Sequence, residues 1–285
     1  MTRSKAALLM MLAMTAAALE AALAKALVSE LPVIQVLILR YLTMVLILLP
    51  GTRLEELRDQ GTLAMRHAAR VALMLGSMGC FYAALKVTPL ASALALFYTY
   101  PFITLILAWL LFGARFGPRE IAAVVIAFAG ALLVLQPQQL GSSVLLLAVT
   151  VLCVGCRGAL DRHLAIHGAR PRTVQFITCT AAAACLAMLL VLTGGLSKLA
   201  PLQPMQLGGI FALAMLACLA QVIVVTVVGA GQWSVYSTFG YWEVLVGLPI
   251  AIWLFGEHLD APVLLGVGLV ILAGLSVTLF KTKSA

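Results

Sequence analysis

The sequence contains ten apolar stretches of roughly 20 residues, and this pattern limits the possible folds more than any other feature. A helix rises about 1.5 Å per residue, so about 20 apolar residues cross a hydrocarbon core of about 30 Å. We therefore predict an all-α integral membrane protein with ten transmembrane helices, at about residues 6–28, 32–50, 70–87, 89–112, 119–136, 142–160, 172–193, 206–229, 232–255 and 261–280.

The composition supports this interpretation. Hydrophobic residues make up 64% of the chain and charged residues only 10%, whereas about 25% of a soluble domain is charged. The runs are continuously apolar rather than alternating, which favours helices over the strands of a membrane barrel. The first run follows Arg3 and Lys5 as a signal peptide would, but no clean cleavage site follows it, so we expect a retained first helix.

The basic residues predict the orientation, because cytoplasmic loops collect Lys and Arg. With the N-terminus inside, the cytoplasmic segments carry 13 basic residues and the opposite side carries two, Lys86 and Lys198. Both termini are therefore expected in the cytoplasm of a bacterial cell, with the protein in the inner membrane. The net charge of +8 does not indicate nucleic-acid binding, because the basic residues are scattered through short loops.

The sequence repeats itself at an offset of 143 residues. Tyr98 to Gly113 matches Tyr241 to Gly256, and after one inserted residue Pro118 matches Pro262. Predicted helices 4 and 5 therefore correspond to helices 9 and 10. This divides the chain into a first five-helix repeat, residues 1–137, and a second, residues 138–285.

An odd number of helices per repeat means that the second copy enters the membrane from the other face. The loop charges agree, since Arg115 and Arg119 follow helix 4, whereas Glu257, His258 and Asp260 follow helix 9. Such inverted repeats are typical of secondary transporters, whose substrate site lies near the midplane between the halves.

The run from Tyr82 to Leu96, followed by Tyr100-Pro101 and by Gly113, resembles the EamA family of the drug/metabolite transporter superfamily. That family has a Glu-Pro pair within helix 4 and a Gly-Glu pair at its end. Here the first half keeps Pro101, and the second half keeps Glu243 and Gly256-Glu257. Within the family the chain is most similar to the YddG-type exporters of aromatic amino acids.

The resemblance implies an exporter of small metabolites that works by alternating access, with aromatic or other hydrophobic amino acids as the expected substrates. Helices 1–4 and 6–9 would surround a central cavity, with helices 5 and 10 outside. The resemblance implies no cofactor and no enzymatic activity, and a monomer or a homodimer is equally compatible with it. The alternatives are a proton-coupled drug or nucleoside effluxer of the same fold and, with far less support, a membrane-embedded enzyme or a channel.

Charged residues inside a bilayer are costly, by about 2.5 to more than 10 kcal/mol, so each one is a candidate functional residue. Within the spans these are Glu20, Lys25, Arg40, Arg157 and Glu243. Arg40 or Arg157 could meet a substrate carboxylate, and Glu243 or Glu20 its ammonium group or a proton. Alternatively, the charges pair with each other and fix helix register, and Lys25 reaches the outer interface.

Aromatic residues near the midplane are the second group of candidates. On helix 9, Trp233, Tyr236, Gly240, Glu243 and Gly247 are spaced by 3, 4, 3 and 4, which predicts one face. The substrate path is also expected to include Tyr82, Tyr98, Tyr100 and Trp242. The alternative for Trp and Tyr is the interfacial belt of membrane proteins.

Proline and small residues predict hinges and packing faces. Pro101, Pro249 and Gly240 are candidate hinges, since proline removes a helical hydrogen bond. The six cysteines all fall within spans and are expected to be small packing residues rather than a metal site. Small residues from Gly266 to Gly274 form a packing face on helix 10, for contacts within or between chains. The halves differ at Tyr100 and Glu243 and at Gly113-Ala114 and Gly256-Glu257, and there we expect the substrate path and the gates to be asymmetric.

Overall fold

The computed structural model describes residues 1–52, 63–100, 102–103, 118–135, 142–166, 170–230, 235 and 239–279. Within these ranges the chain forms helices, turns and loops, and no strand. Ten α-helices of at least eight residues lie there: α1 Arg3–Glu30, α2 Val33–Leu48, α3 Ala64–Leu85, α4 Leu90–Phe97, α5 Pro118–Leu135, α6 Ser142–Ile166, α7 Pro171–Leu192, α8 Pro204–Gly229, α9 Trp242–Phe255 and α10 Ala261–Leu279.

Five of these helices, α1, α2, α3, α7 and α8, are long and apolar enough to cross a membrane. Shorter apolar helical segments lie in α5, α6, α9 and α10. Large apolar side chains such as Leu8, Leu46 and Trp253 are exposed on the outer surface, as lipid contact requires. The predicted all-helical, multi-pass membrane protein is confirmed in this form, whereas ten crossings and an inverted arrangement stay predictions.

The helices pack in pairs that join the two halves of the chain. The most extensive contacts are α5 with α10, α3 with α6, α1 with α8, and α2 with α7. Further contacts join α1 and α4 to α9, α2 to α8, and α3 to α7. α5 packs mainly on α10 and otherwise on α4. Among the described helices, α5 and α10 therefore pack mainly against each other, and the rest pack mainly among themselves.

Two glycines allow the backbones of α5 and α10 to approach closely. A Cβ atom built on Gly130 would lie 2.7 Å from the carbonyl oxygen of Gly266, and one built on Gly266 would lie 2.5 Å from that of Gly130. Ala127, one turn before Gly130, is fully buried. Small residues permit this kind of helix contact in membranes. The packing face predicted around Gly266 therefore serves a contact within the chain.

The predicted helices 4 and 9 are each interrupted rather than continuous. α4 ends at Phe97, where the bonding changes: the Tyr98 amide donates to Leu94 and the Thr99 amide to Leu96. Pro101 has no amide hydrogen to continue the i to i−4 pattern. α9 begins at Trp242, after a turn at Tyr241. The two interruptions fall at Tyr98 and Tyr241, which are matched positions of the sequence repeat, and one regular helix does not run from 232 to 255.

The close contact between α5 and α10 can be tested with one methyl group. We expect Gly266→Ala to lower the stability of the detergent-solubilised protein by about 1–3 kcal/mol, because the added Cβ would collide with backbone rather than with a movable side chain. Thermal unfolding followed by tryptophan fluorescence measures the shift. Gly268→Ala is the matched control, since a Cβ there would meet nothing within 4 Å. Equal melting temperatures for both variants would contradict the contact.

Candidate functional site

A cavity of about 210 Å³ lies between the two halves of the chain. Its walls come from α1, α3, α6, α7, α8 and α9 and from the turn that follows α4. Six charged or amide side chains line it: Glu20, Arg70, Arg157, Gln175, Gln221 and Glu243. Five aromatic rings line it as well: Phe81, Tyr82, Phe97, Tyr98 and Tyr100. Aromatic walls with a few polar groups are typical of small-molecule sites.

Glu243 lies where the two helix interruptions meet. It is in the first turn of α9 and only 7% exposed. The Tyr98 hydroxyl donates to Oε2 of Glu243 at 2.5 Å, and the Tyr98 and Tyr241 rings lie with their centroids 5.6 Å apart. Amide groups at the start of α9 favour a carboxylate at this place. The site therefore holds a carboxylate that can accept a hydrogen bond or a proton inside an apolar protein.

Glu20 is the second carboxylate in the cavity wall, and it forms an ion pair with a buried arginine. Nη2 of Arg40 lies 2.6 Å from Oε1 of Glu20, and Arg40 is fully buried. The Tyr82 hydroxyl donates to the same oxygen at 3.4 Å. Arg40 also lies over the rings of Tyr41 and Tyr82, at 5.2 and 6.0 Å from their centroids. Glu20 lines the cavity and Arg40 does not. Arg40 was predicted either to meet a substrate carboxylate or to pair with another charge of the protein, and in the structure it forms the ion pair.

The aromatic wall is continuous along α3 and α4. Phe97 contacts three rings, with centroid distances of 5.3 Å to Phe81, 5.5 Å to Tyr98 and 5.6 Å to Tyr100. Tyr98 and Tyr100 are themselves 6.0 Å apart. Phe81 and Phe97 were not among the predicted site residues, because one Phe in an apolar run gives no sign of facing a cavity.

Arg70 is the main cavity residue that the sequence placed wrongly. The span was expected to begin at residue 70, with Arg70 in the cytoplasmic loop, but α3 begins at Ala64 and Arg70 is only 4% exposed. Its Nη1 donates to Oγ1 of Thr178 at 2.5 Å and its Nη2 to Oε1 of Gln175 at 3.4 Å. Polar residues in the first turns of α3 hid the true start of the helix. Gln175 and Gln221 were missed because only charged and aromatic residues of the spans were taken as candidates, although an amide within an apolar run is a comparable signal.

The remaining predicted residues divide into three groups. Trp242 is not among the residues that line the cavity, and its indole N–H donates to Oγ1 of Thr15 at 3.1 Å. Gly240 lies beside Tyr98, since a Cβ there would be 3.7 Å from that ring, and Pro249 lies within α9, which continues to Phe255. Pro101, Trp233 and Tyr236 lie outside the described residues.

Comparison with known proteins agrees with this architecture. Residues 4–136 match the model of the EamA-like transporter family. A riboflavin transporter of Rhizobium johnstonii is 34% identical over 101 residues, which are 35% of this chain and 33% of that protein, so the match spans about a third of the relative. A crystal structure of another protein aligns with a TM-score of 0.70 at 18% identity, over 99% of this chain and 100% of that one. At that identity it shows the fold alone.

The resemblance to the EamA family is thereby confirmed for residues 4–136, which lie in the first predicted repeat. The family and the named relative point to transport rather than to catalysis. The narrower similarity to the YddG-type exporters stays a prediction.

The pair of Glu20 and Arg40 makes a prediction about stability. We expect Arg40→Met to destabilise the protein by up to about 3–5 kcal/mol, because it leaves the Glu20 carboxylate without its buried partner. Thermal unfolding in detergent measures the loss. Glu30→Gln is the control, since Glu30 lies exposed at the end of α1, where it accepts from Gln206. If Arg40→Met and the control have the same melting temperature, the ion pair does not stabilise the packing of α1 on α2.

Proposed function

We propose that this chain is a secondary transporter of the EamA type that moves a small organic metabolite out of the cell by alternating access. The observation that carries the proposal is the cavity between the halves of the chain. It brings two carboxylates, Glu20 and Glu243, and two arginines, Arg70 and Arg157, into one space inside an otherwise apolar protein. A membrane protein keeps charges at such depth chiefly where a substrate or an ion uses them.

The proposal includes ten membrane crossings in two inverted five-helix repeats, residues 1–137 and 138–285. Support comes from the helix packing. If each helix is exchanged for the one five places along, the pair α3–α6 becomes α8–α1, and the pairs α2–α7, α4–α9 and α5–α10 become themselves. A two-fold relation between the halves produces such a set of contacts, and the matched interruptions at Tyr98 and Tyr241 agree with it.

The orientation completes the proposal. The excess of basic residues on one side supports cytoplasmic termini. With Arg70 assigned to α3, the cytoplasmic segments still carry twelve basic residues and the opposite side carries two. In a bacterial cell this orientation belongs to the inner membrane. The cavity residues on α6, α7 and α8, such as Arg157, Gln175 and Val225, then lie in the cytoplasmic halves of their helices.

An aromatic or other hydrophobic amino acid is the substrate that the cavity fits best. Arg70 and Arg157 can meet a carboxylate, Glu243 can meet an ammonium group, and the rings of Phe81, Phe97 and Tyr100 can stack on an apolar side chain. A second candidate is a planar heteroaromatic compound such as a flavin. The relative named a riboflavin transporter and the same aromatic wall favour it.

Transport into and out of proteoliposomes tests the proposal. We expect labelled tryptophan or phenylalanine to move, and to be displaced by aromatic more than by aliphatic or charged amino acids. Nucleosides, drugs and riboflavin complete the competition panel. Tryptamine, which lacks the carboxylate, is expected to compete poorly if Arg70 and Arg157 bind that group. Transport of no member of the panel by folded protein would reject the function.

Proton coupling is tested at Glu243. We expect Glu243→Gln to abolish the dependence of transport on an imposed pH gradient while substrate binding survives, because a carboxylate can carry a proton through the cycle and an amide cannot. Uptake with and without the gradient gives the coupling, and binding of phenylalanine is followed by the change that it induces in the protein's tryptophan fluorescence. Glu30→Gln serves as the control. If transport by Glu243→Gln depends on the pH gradient as the parent does, Glu243 does not carry the coupled proton. If neither protein responds to the gradient, transport is not coupled to protons.

A further inference from the structure

One carboxylate outside the cavity ties three helices together. Glu257 follows Gly256, which ends α9 in the left-handed conformation with φ of 60°. Its Oε1 lies 2.6 Å from Nζ of Lys25 on α1 and accepts from the amide of Leu90 at 2.5 Å, and its Oε2 accepts from the amide of Ala91 at 3.1 Å. We call these groups, Glu257, Lys25 and the first turn of α4, the outer cluster.

The groups of the outer cluster satisfy each other's hydrogen bonds and charges. α4 follows Pro89, which gives no side-chain cap, so its first amides need an acceptor, and Glu257 supplies both oxygens. Lys25 donates in addition to the carbonyl oxygen of Thr88 at 3.0 Å and lies 5.1 Å from the centroid of the Phe255 ring. The Lys25 and Glu257 side chains are only 18% and 9% exposed, which strengthens charge-assisted bonds.

The outer cluster lies beyond the cavity, toward the ends of α1 and α9. Along α1, Lys25 is four residues beyond Ala21, a residue of the cavity wall, which corresponds to about 6 Å. Along α9, Glu257 is 14 residues beyond Glu243, which corresponds to about 21 Å. In the proposed orientation the end of α1, the start of α4 and the end of α9 all face the outside. Between cluster and cavity, Leu90, Leu94 and Ala251 are fully buried. The outer side is therefore closed by α1, α4 and α9.

At this position of the sequence repeat only the second half carries a carboxylate. The residue that corresponds to Glu257 in the first half is Ala114, after the matched Gly113. Alanine has no oxygen with which to hold a helix start or a lysine. The inner side of the protein therefore lacks the carboxylate at the matched position, which agrees with the expectation that the gates differ where the halves differ.

We propose that Glu257 is the positioning residue of the outer gate. Its bonds to Lys25 and to the first turn of α4 hold the outer side closed, and they must break before substrate leaves on that side. The proposal rests on the alternating-access function proposed above, and it adds the group that sets the balance between the two open states.

Side-specific labelling tests the gate without a substrate. A reporter cysteine at Ala17, which lines the cavity, is exposed to a membrane-impermeant thiol reagent in right-side-out and in inside-out vesicles. Peptide mass spectrometry reads modification at residue 17 apart from the native cysteines. In the parent we expect rapid labelling from the inside and slow labelling from the outside.

Glu257→Gln and Lys25→Met are expected to raise the outside labelling rate about tenfold or more, as the loss of one bond to a charged group implies. Lys25→Arg, which keeps the charge, should label like the parent. Asp260→Asn, an exposed carboxylate of the same loop, is the matched control. The exchange Lys25→Glu with Glu257→Lys should not restore closure, because lysine cannot accept from the α4 amides.

Outside labelling of both Glu257→Gln and Lys25→Met at the parent rate would overturn the gate, even if transport were established. Increased outside labelling together with a failed transport panel would uphold the gate and reject the proposed substrates. Rescue by the charge exchange would replace the capping role with a simple ion pair and would contradict the proposal as stated. Parent-like inside labelling of each variant shows that it is folded.

Discussion

The absence of water from the hydrocarbon core is the constraint on which this structure depends. Every backbone amide and carbonyl at that depth needs a partner within the protein, which makes continuous helices the default and irregular backbone acceptable only around a cavity or in a packed interior. The described chain departs from regular helix at Tyr98–Thr99 and at Tyr241, and these two places lie against each other beside Glu243. The two helix interruptions therefore place the hydrogen-bonded pair of Tyr98 and Glu243 in the site and also shape the cavity.

The same constraint explains how the charges are arranged. Glu20 faces the cavity while Arg40 supports it from the buried side, and Arg70 is held by neutral groups of α7. Charges at the cavity wall are thus oriented by neighbouring side chains of the protein. A bound molecule exchanges its hydration for groups that are already in position, which lowers the cost of ordering the site.

The sequence predicted where helices lie better than where they end. It also predicted which residues carry functional groups better than which residues those groups contact. Apolar runs and the repeat at 143 residues depend on local pattern, so the all-helical fold and the position of Tyr98, Tyr100 and Glu243 in the cavity wall could be inferred. The partner of Arg40 could not, because packing between α1 and α2 decides it. Arg70 was assigned to a loop because the first turns of α3 are polar, and Trp242 was placed in the cavity because the turn at Tyr241 has no clear signature.

The backbone contact between α5 and α10 has a mechanical consequence. These helices end the two halves of the chain, and Gly130 and Gly266 bring their carbonyl and Cα atoms to a separation that side chains cannot cushion. In the proposed alternating-access cycle, rocking of one half against the other would move this line of contact least, because sliding there would drive backbone into backbone. The pair would then be the pivot of that motion, and the helices farthest from it, around the cavity, would undergo the largest displacement.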